Sequence, residues 1–349
     1  MWYRLTVLVG LLAGLPTLAG GVSGRGGLEA VAVSPDGKWL AVGGQNRVVY
    51  IVDVSGTVRS RYWLGTRIGN LAFTQDGKRL LVEDEEDLLR VLDVATGKEI
   101  QRREGVRGLV YHSATNRIAI RDSNQRSRNR LWLLSADGLR DEGAIELAYA
   151  PVAYRFDLAG KQLLVLGQSR DSKDEPRIEP KLVPSELRGL ARQVFRQKND
   201  GLQAVLGSFE VPTGKPGRSQ SLWYTSDSDS TLLVQSGEIR YILNRANVCA
   251  RVDAAGTIHV FALGENLHHA LGASPDGRVV LTGGLGEGTH GPIEGGRRER
   301  FELKRLPGQA EYLSRFAVAD DGSAWVVTTA SRLGHISKEG KVDRLFPVY

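Results

Sequence analysis

The chain has 349 residues, with 46 basic and 40 acidic side chains, a net charge of +6 and 41% hydrophobic residues. A single cysteine, Cys249, excludes an intramolecular disulfide framework, and the length is ample for a core that needs no such staple. Charges of both signs are interspersed without a long run of one sign, which argues against nucleic acid as the partner.

The N-terminus reads as an export signal. Met1 to Arg4 gives a short cationic start, and Leu5 to Leu18 is almost wholly apolar. Thr17-Leu18-Ala19 places small residues where a signal peptidase reads them, which predicts a signal peptide over 1–19 and a periplasmic or secreted protein. The apolar run is short for a bilayer span of about 20 residues, so no membrane span is expected after cleavage; the alternative is that the segment stays uncleaved as a membrane anchor. A Gly-rich leader follows over 20–27, and the folded unit is expected over 28–349.

Internal repetition carries the fold. Val31-Ala-Val-Ser-Pro-Asp-Gly37-Lys-Trp-Leu-Ala-Val42 recurs as Leu71-Ala-Phe-Thr-Gln-Asp-Gly77-Lys-Arg-Leu-Leu-Val82, and again as Leu271-Gly-Ala-Ser-Pro-Asp-Gly277-Arg-Val-Val-Leu281. Phe316 to Val327 is a weaker copy, and degenerate ones surround Asn116, Gly160 and Gly237. Each copy is two alternating strands joined at a hairpin turn. A second hairpin follows the first, turning at Gly56, Gly97, Gly214 and Gly256, so one period is a four-stranded antiparallel sheet. The first turns fall at 37, 77, 116, 160, 237, 277 and 322, a spacing of roughly 40 to 45 residues with one interval nearly doubled by an insertion. The prediction is an all-β, seven-bladed β-propeller. One such sheet cannot cover both of its faces alone, but sheets packed around a ring can.

The stretches Ser34-Pro-Asp-Gly-Lys and Val91-Leu-Asp-Val-Ala-Thr-Gly-Lys make the chain resemble the WD-repeat and related bacterial propeller-repeat families over residues 28 to 349. It lacks their Gly-His pair and Trp-Asp dipeptide, although Asp53, Asp93 and Asp253 hold the place of that aspartate. The resemblance implies the fold and no particular partner. The chain order supplies all four strands of the first and last blades, so no strand is expected to cross the seam of the ring.

With strands a to d counted outward from the axis, b–c loops and d–a connections share one face. The sequence places its elaboration in b–c loops: Glu83, Asp84 and their neighbours to Asp87 in blade 2; Arg121 to Arg130, with Arg126, Arg128 and Arg130, in blade 3; 168–201 in blade 4; and the Gly-rich 283–296 in blade 6. Within 168–201 a short helix is predicted from Ser185, with Leu187, Leu190, Val194 and Phe195 on one stripe. Long loops on a rigid scaffold are where recognition tends to sit, so these residues are the expected partner-binding face.

The chemistry is sparse. Glu83 to Asp87 lacks the spacing of a calcium loop, and 283–296 lacks the Lys-Ser/Thr of a phosphate loop. His268, His269 and His290, with Glu287 or Glu294, are the candidate metal set on the same face. Cys249 lies between apolar residues with no activating group in view. No cofactor is called for, and no nucleophile–base set can be assigned. The expectation is a non-enzymatic interaction or scaffolding module outside the cytoplasm, holding a protein or peptide. The alternatives are a metal-dependent propeller hydrolase of the lactonase kind and a polyanion binder using the loop arginines.

Overall fold

The computed structural model describes residues 27–124, 129–169, 203–222, 231–244, 249–264, 268–304 and 306–348. They form seven four-stranded antiparallel sheets, each built from strands consecutive in the chain. Blade 1 shows the pattern with Leu28–Val33, Trp39–Gly44, Val48–Asp53 and Val58–Trp63. Blades 2 to 7 follow over 68–104, 106–146, 150–222, 231–261, 270–302 and 313–347. First strands of successive blades touch one another, and that of blade 7 (Leu313–Val318) returns to that of blade 1, closing the ring.

The a–b turns explain the repeated motif. The hydroxyl of Ser34 donates to Asp36 at 2.6 Å, Asp36 accepts the amide of Lys38 at 3.1 Å, and the Ser34 oxygen accepts the amide of Trp39 at 2.9 Å. Thr74–Asp76 and Ser274–Asp276 repeat this arrangement, with hydroxyl–carboxylate distances of 2.6 and 2.7 Å. The glycine that follows takes φ of 69°, 68° and 70° at Gly37, Gly77 and Gly277, a region that strains any side chain. Asn116, at φ 53°, fills the same role in blade 3, which is why that copy is hard to see in the sequence.

The core lies between blades, not within them. Seven clusters of buried apolar residues each straddle one blade boundary. The cluster at the seam joins Leu28, Val42 and Tyr50 of blade 1 to Trp325, Val327 and Leu333 of blade 7. As expected, no strand is exchanged there, and side-chain packing closes the ring instead.

Two expectations need comment. The Gly-rich 283–296 is not a long b–c loop: Glu287–Pro292 is strand c of blade 6, and the loop before it is only 284–286. Glycine is needed there for closeness, since a Cβ on Gly288 would lie 2.1 Å from the Thr282 carbonyl and 2.5 Å from the Phe301 ring. The expected helix, with Leu187, Leu190, Val194 and Phe195, lies outside the described residues, as do Arg126, Arg128 and the signal segment.

Candidate recognition surface on the b–c loop face

Four b–c connections are three-residue loops whose last residue is left-handed: Arg47 (φ 63°), Asp87 (φ 62°), Gly286 (φ 68°) and Ser331 (φ 58°). Such loops usually place glycine there. In blades 1 and 2 the position is charged instead, which carries Arg47 and Asp87 to the rim of the b–c face.

Between those two loops and the 64–67 connection lies an open cleft of about 630 Å³, lined by Gln45, Arg47, Gly65, Thr66, Arg67, Glu85 and Glu86. Its floor is an ion-pair network. Arg67 grips the Glu29 carboxylate with two nitrogens, Nη2 at 2.7 Å and Nε on the other oxygen, and reaches Glu85 with Nη1. Gln45 donates to the same Glu29 at 2.9 Å. The Glu29 carboxylate beside Arg67 raises the pKa of that guanidinium still further, so Arg67 stays charged at any physiological pH. Main-chain bonds lock the loops below it, from Gln45 to the Gly27 carbonyl at 2.9 Å and from Glu85 to the Arg67 carbonyl at 3.1 Å.

Three lining groups are uncommitted among the described residues. The side chains of Arg47 and Glu86 have no partner, and the hydroxyl of Thr66 makes no hydrogen bond although the residue is only 6% exposed. Outside the lining but next to Gly65, Trp63 is 68% exposed, the most exposed large apolar side chain of the described residues. A Cβ on cleft-lining Gly65 would sit 3.9 Å from its indole nitrogen.

The residues expected from the sequence are distributed differently. Glu83 and Asp84 do not face a partner. Glu83 is buried and accepts the amides of Gly108 and Leu109, each at 2.7 Å, and the Asn70 amide at 2.8 Å, which pins blade 2 to blade 3. The Asp84 side chain is fully buried and accepts the amides of Glu86 (3.0 Å) and Leu88 (3.2 Å) and Nε of Arg90 (3.0 Å). Both were expected in an exposed acidic loop, but strand b runs on through Asp84 and draws them into the fold. Arg130 pairs with Glu146 and lies 5.1 Å over Trp132, which Arg103 also covers at 4.9 Å.

The candidate metal residues do not converge. His268 and His269 lie in the connection leading to blade 6, and the His269 ring packs tilted against Tyr312, with centroids 4.4 Å apart. His290 is buried on strand c, its Nε2 2.8 Å from the Gly322 carbonyl in an a–b turn, on the opposite face. Glu287 pairs with Arg300, and Glu294 accepts the Tyr241 hydroxyl at 3.2 Å. Among the described residues no three His, Cys, Asp or Glu side chains are grouped to hold a metal ion. His268 is shifted in the other sense from a switch near neutrality: partial burial, with Arg298 and His269 nearby, pushes its pKa down to about 4. Burial pushes the Cys249 thiol up to about 12, which leaves it inert as a nucleophile.

The sequence reading missed Gln45, Arg47, Thr66 and Arg67, which lie in short connections, and Glu29, which lies on the first strand of blade 1. The available signal was the repeat itself: aligned copies put a charged residue at a left-handed turn position in blades 1 and 2.

No family model matches the chain, and no curated protein matches it. Among solved structures, a chain of hydrazine synthase from Kuenenia stuttgartiensis is similar, with a TM-score of 0.63 and 13% identity over 96% of this chain and 99% of that one. At that identity the likeness shows the propeller fold and carries no chemistry across.

Proposed function

We propose that the chain is a non-catalytic recognition module acting outside the cytoplasm, and that it holds a protein or peptide partner on its b–c loop face. The observation that carries this reading is the open cleft between blades 1 and 2, with a rigid ion-pair floor and uncommitted polar groups above it. Rigid floors lower the ordering cost of binding, and a few placed polar groups fix the orientation of what binds. Export is supported by the Met1–Ala19 pattern, and kinship with WD-like repeats by the Ser/Thr-x-Asp-Gly turns.

The test is capture from an envelope extract with the full mature chain as bait. Wild type should retain a partner that Arg47→Glu with Glu86→Lys loses. Lys38→Glu, exposed on the a–b turn face, should retain it. Equal capture by all three would overturn the assignment of the face.

A further inference from the structure

The same cleft has features that a protein partner does not require. It is lined by two cations, Arg47 and Arg67, and two anions, Glu85 and Glu86, with Glu29 paired beneath them. The groups named carry one net negative charge, but Arg67 is already held by Glu29 and Glu85, and the two uncommitted charges, Arg47 and Glu86, are of opposite sign. What the lining offers is hydrogen bonding of both kinds. The Arg47 guanidinium donates, the Glu86 carboxylate and the Gln45 side-chain oxygen accept, and the Thr66 hydroxyl does both.

No apolar side chain lines the cleft. The Trp63 indole, exposed and within 3.9 Å of where a Cβ on lining residue Gly65 would sit, offers an apolar surface beside it. A flat aromatic plate beside a floor whose free charges cancel and whose groups both donate and accept suits a neutral, hydroxyl-rich molecule. Its groups donate and accept together, its net charge is zero, and one face is made of C–H bonds.

We propose that this cleft is a saccharide-binding site. A neutral sugar ring stacks its C–H face on Trp63 while its hydroxyls engage Arg47, Gln45, Thr66 and Glu86. The proposal rests on the b–c face being a recognition surface, but not on the partner being a protein.

The experiment is isothermal titration of the full mature chain with neutral hexasaccharides of glucose, mannose, galactose and N-acetylglucosamine. Saturable binding to at least one is expected, weakened about tenfold or more by Trp63→Ala. Trp63 is exposed, so that variant should melt with wild type, and Thr66→Val gives an independent second reading of the same site. Absence of binding across the panel, or equal binding by Trp63→Ala, overturns the proposal. A peptide eluted from the captured partner that binds in a Trp63-dependent way, with no saccharide bound, also overturns it. That last outcome would leave the recognition face standing, whereas saccharide binding with no captured protein would remove the protein partner and keep the site.

Discussion

Arg315, on the innermost strand of blade 7, donates to the main-chain carbonyl of Glu29 in blade 1 at 3.4 Å, and to that of Gly69 in blade 2 at 3.5 Å. One side chain thus ties the last blade to the first two. The guanidinium is solvent-accessible yet walled in by the inner strands, and this desolvation lowers its pKa despite Glu83 and Glu29 nearby. Farther out, Arg344 donates to the Val54 carbonyl at 2.8 Å. The Phe346 ring covers Gly56 so closely that a Cβ there would lie 2.8 Å from it. A ring without an exchanged strand is held at its seam by contacts of this kind.

Gly56→Ala should therefore destabilise the protein by about 1–3 kcal/mol, from a φ of 96° that alanine strains to adopt and from displacement of Phe346. Arg344→Ala should cost about 1 kcal/mol, the worth of one hydrogen bond. Urea denaturation reads both. A Gly56→Ala variant as stable as wild type would mean that the seam is looser than this packing implies.

The turn aspartates set an acid limit. Hydroxyls of Ser34, Thr74, Thr96 and Ser323 hold the carboxyls of Asp36, Asp76, Asp93 and Asp321 below their usual range, and Ser55 with the Thr57 amide brings Asp53 to about 2. A carboxyl with a depressed folded pKa adds stability that is present above its unfolded value, near 3.8, and is lost as pH falls through the folded one. Stability should thus drop between about pH 4 and pH 2. Asp53→Asn should be less stable than wild type at neutral pH and converge with it near pH 2 in thermal melts.

His268 has the same sign in a higher window. Its folded pKa of about 4 lies below its usual 6.5, so stability present above pH 6.5 falls away as pH drops toward 4, where the ring must charge beside Arg298. His268→Gln should flatten the melting profile across that window. An unchanged slope would mean that His268 is solvated.

Glu83→Gln should cost about 1–3 kcal/mol, because an amide cannot accept at both positions where Gly108 and Leu109 donate. Where the variant remains folded, ligand binding should be unaffected, since Glu83 faces blade 3. Chemical denaturation and the titration above separate the two effects.

The blades were legible because each one repeats a local solution. Asp-Gly turns, capped by Ser34, Thr74 or Ser274, can be seen in any one copy, and the copies fix the period. Strand c of blade 6 was misread because glycine marks loops in general, whereas Gly288 is there to admit Phe301. The site was less legible. Glu83 and Asp84 read as a solvated acidic loop, and only tertiary packing shows that blade 3 amides and Arg90 absorb their charge. The converse holds for Arg67 and Glu29, which are 38 residues apart and meet only when blade 2 docks on blade 1.

Hydrogen exchange on the full chain, with and without its captured partner, tests the recognition face most directly. Added protection should concentrate at 45–47, 64–67 and 85–87, and leave the a–b turns near Gly37, Gly77 and Gly277 unchanged. Protection confined to those turns would contradict the assignment of the b–c face as the surface that binds.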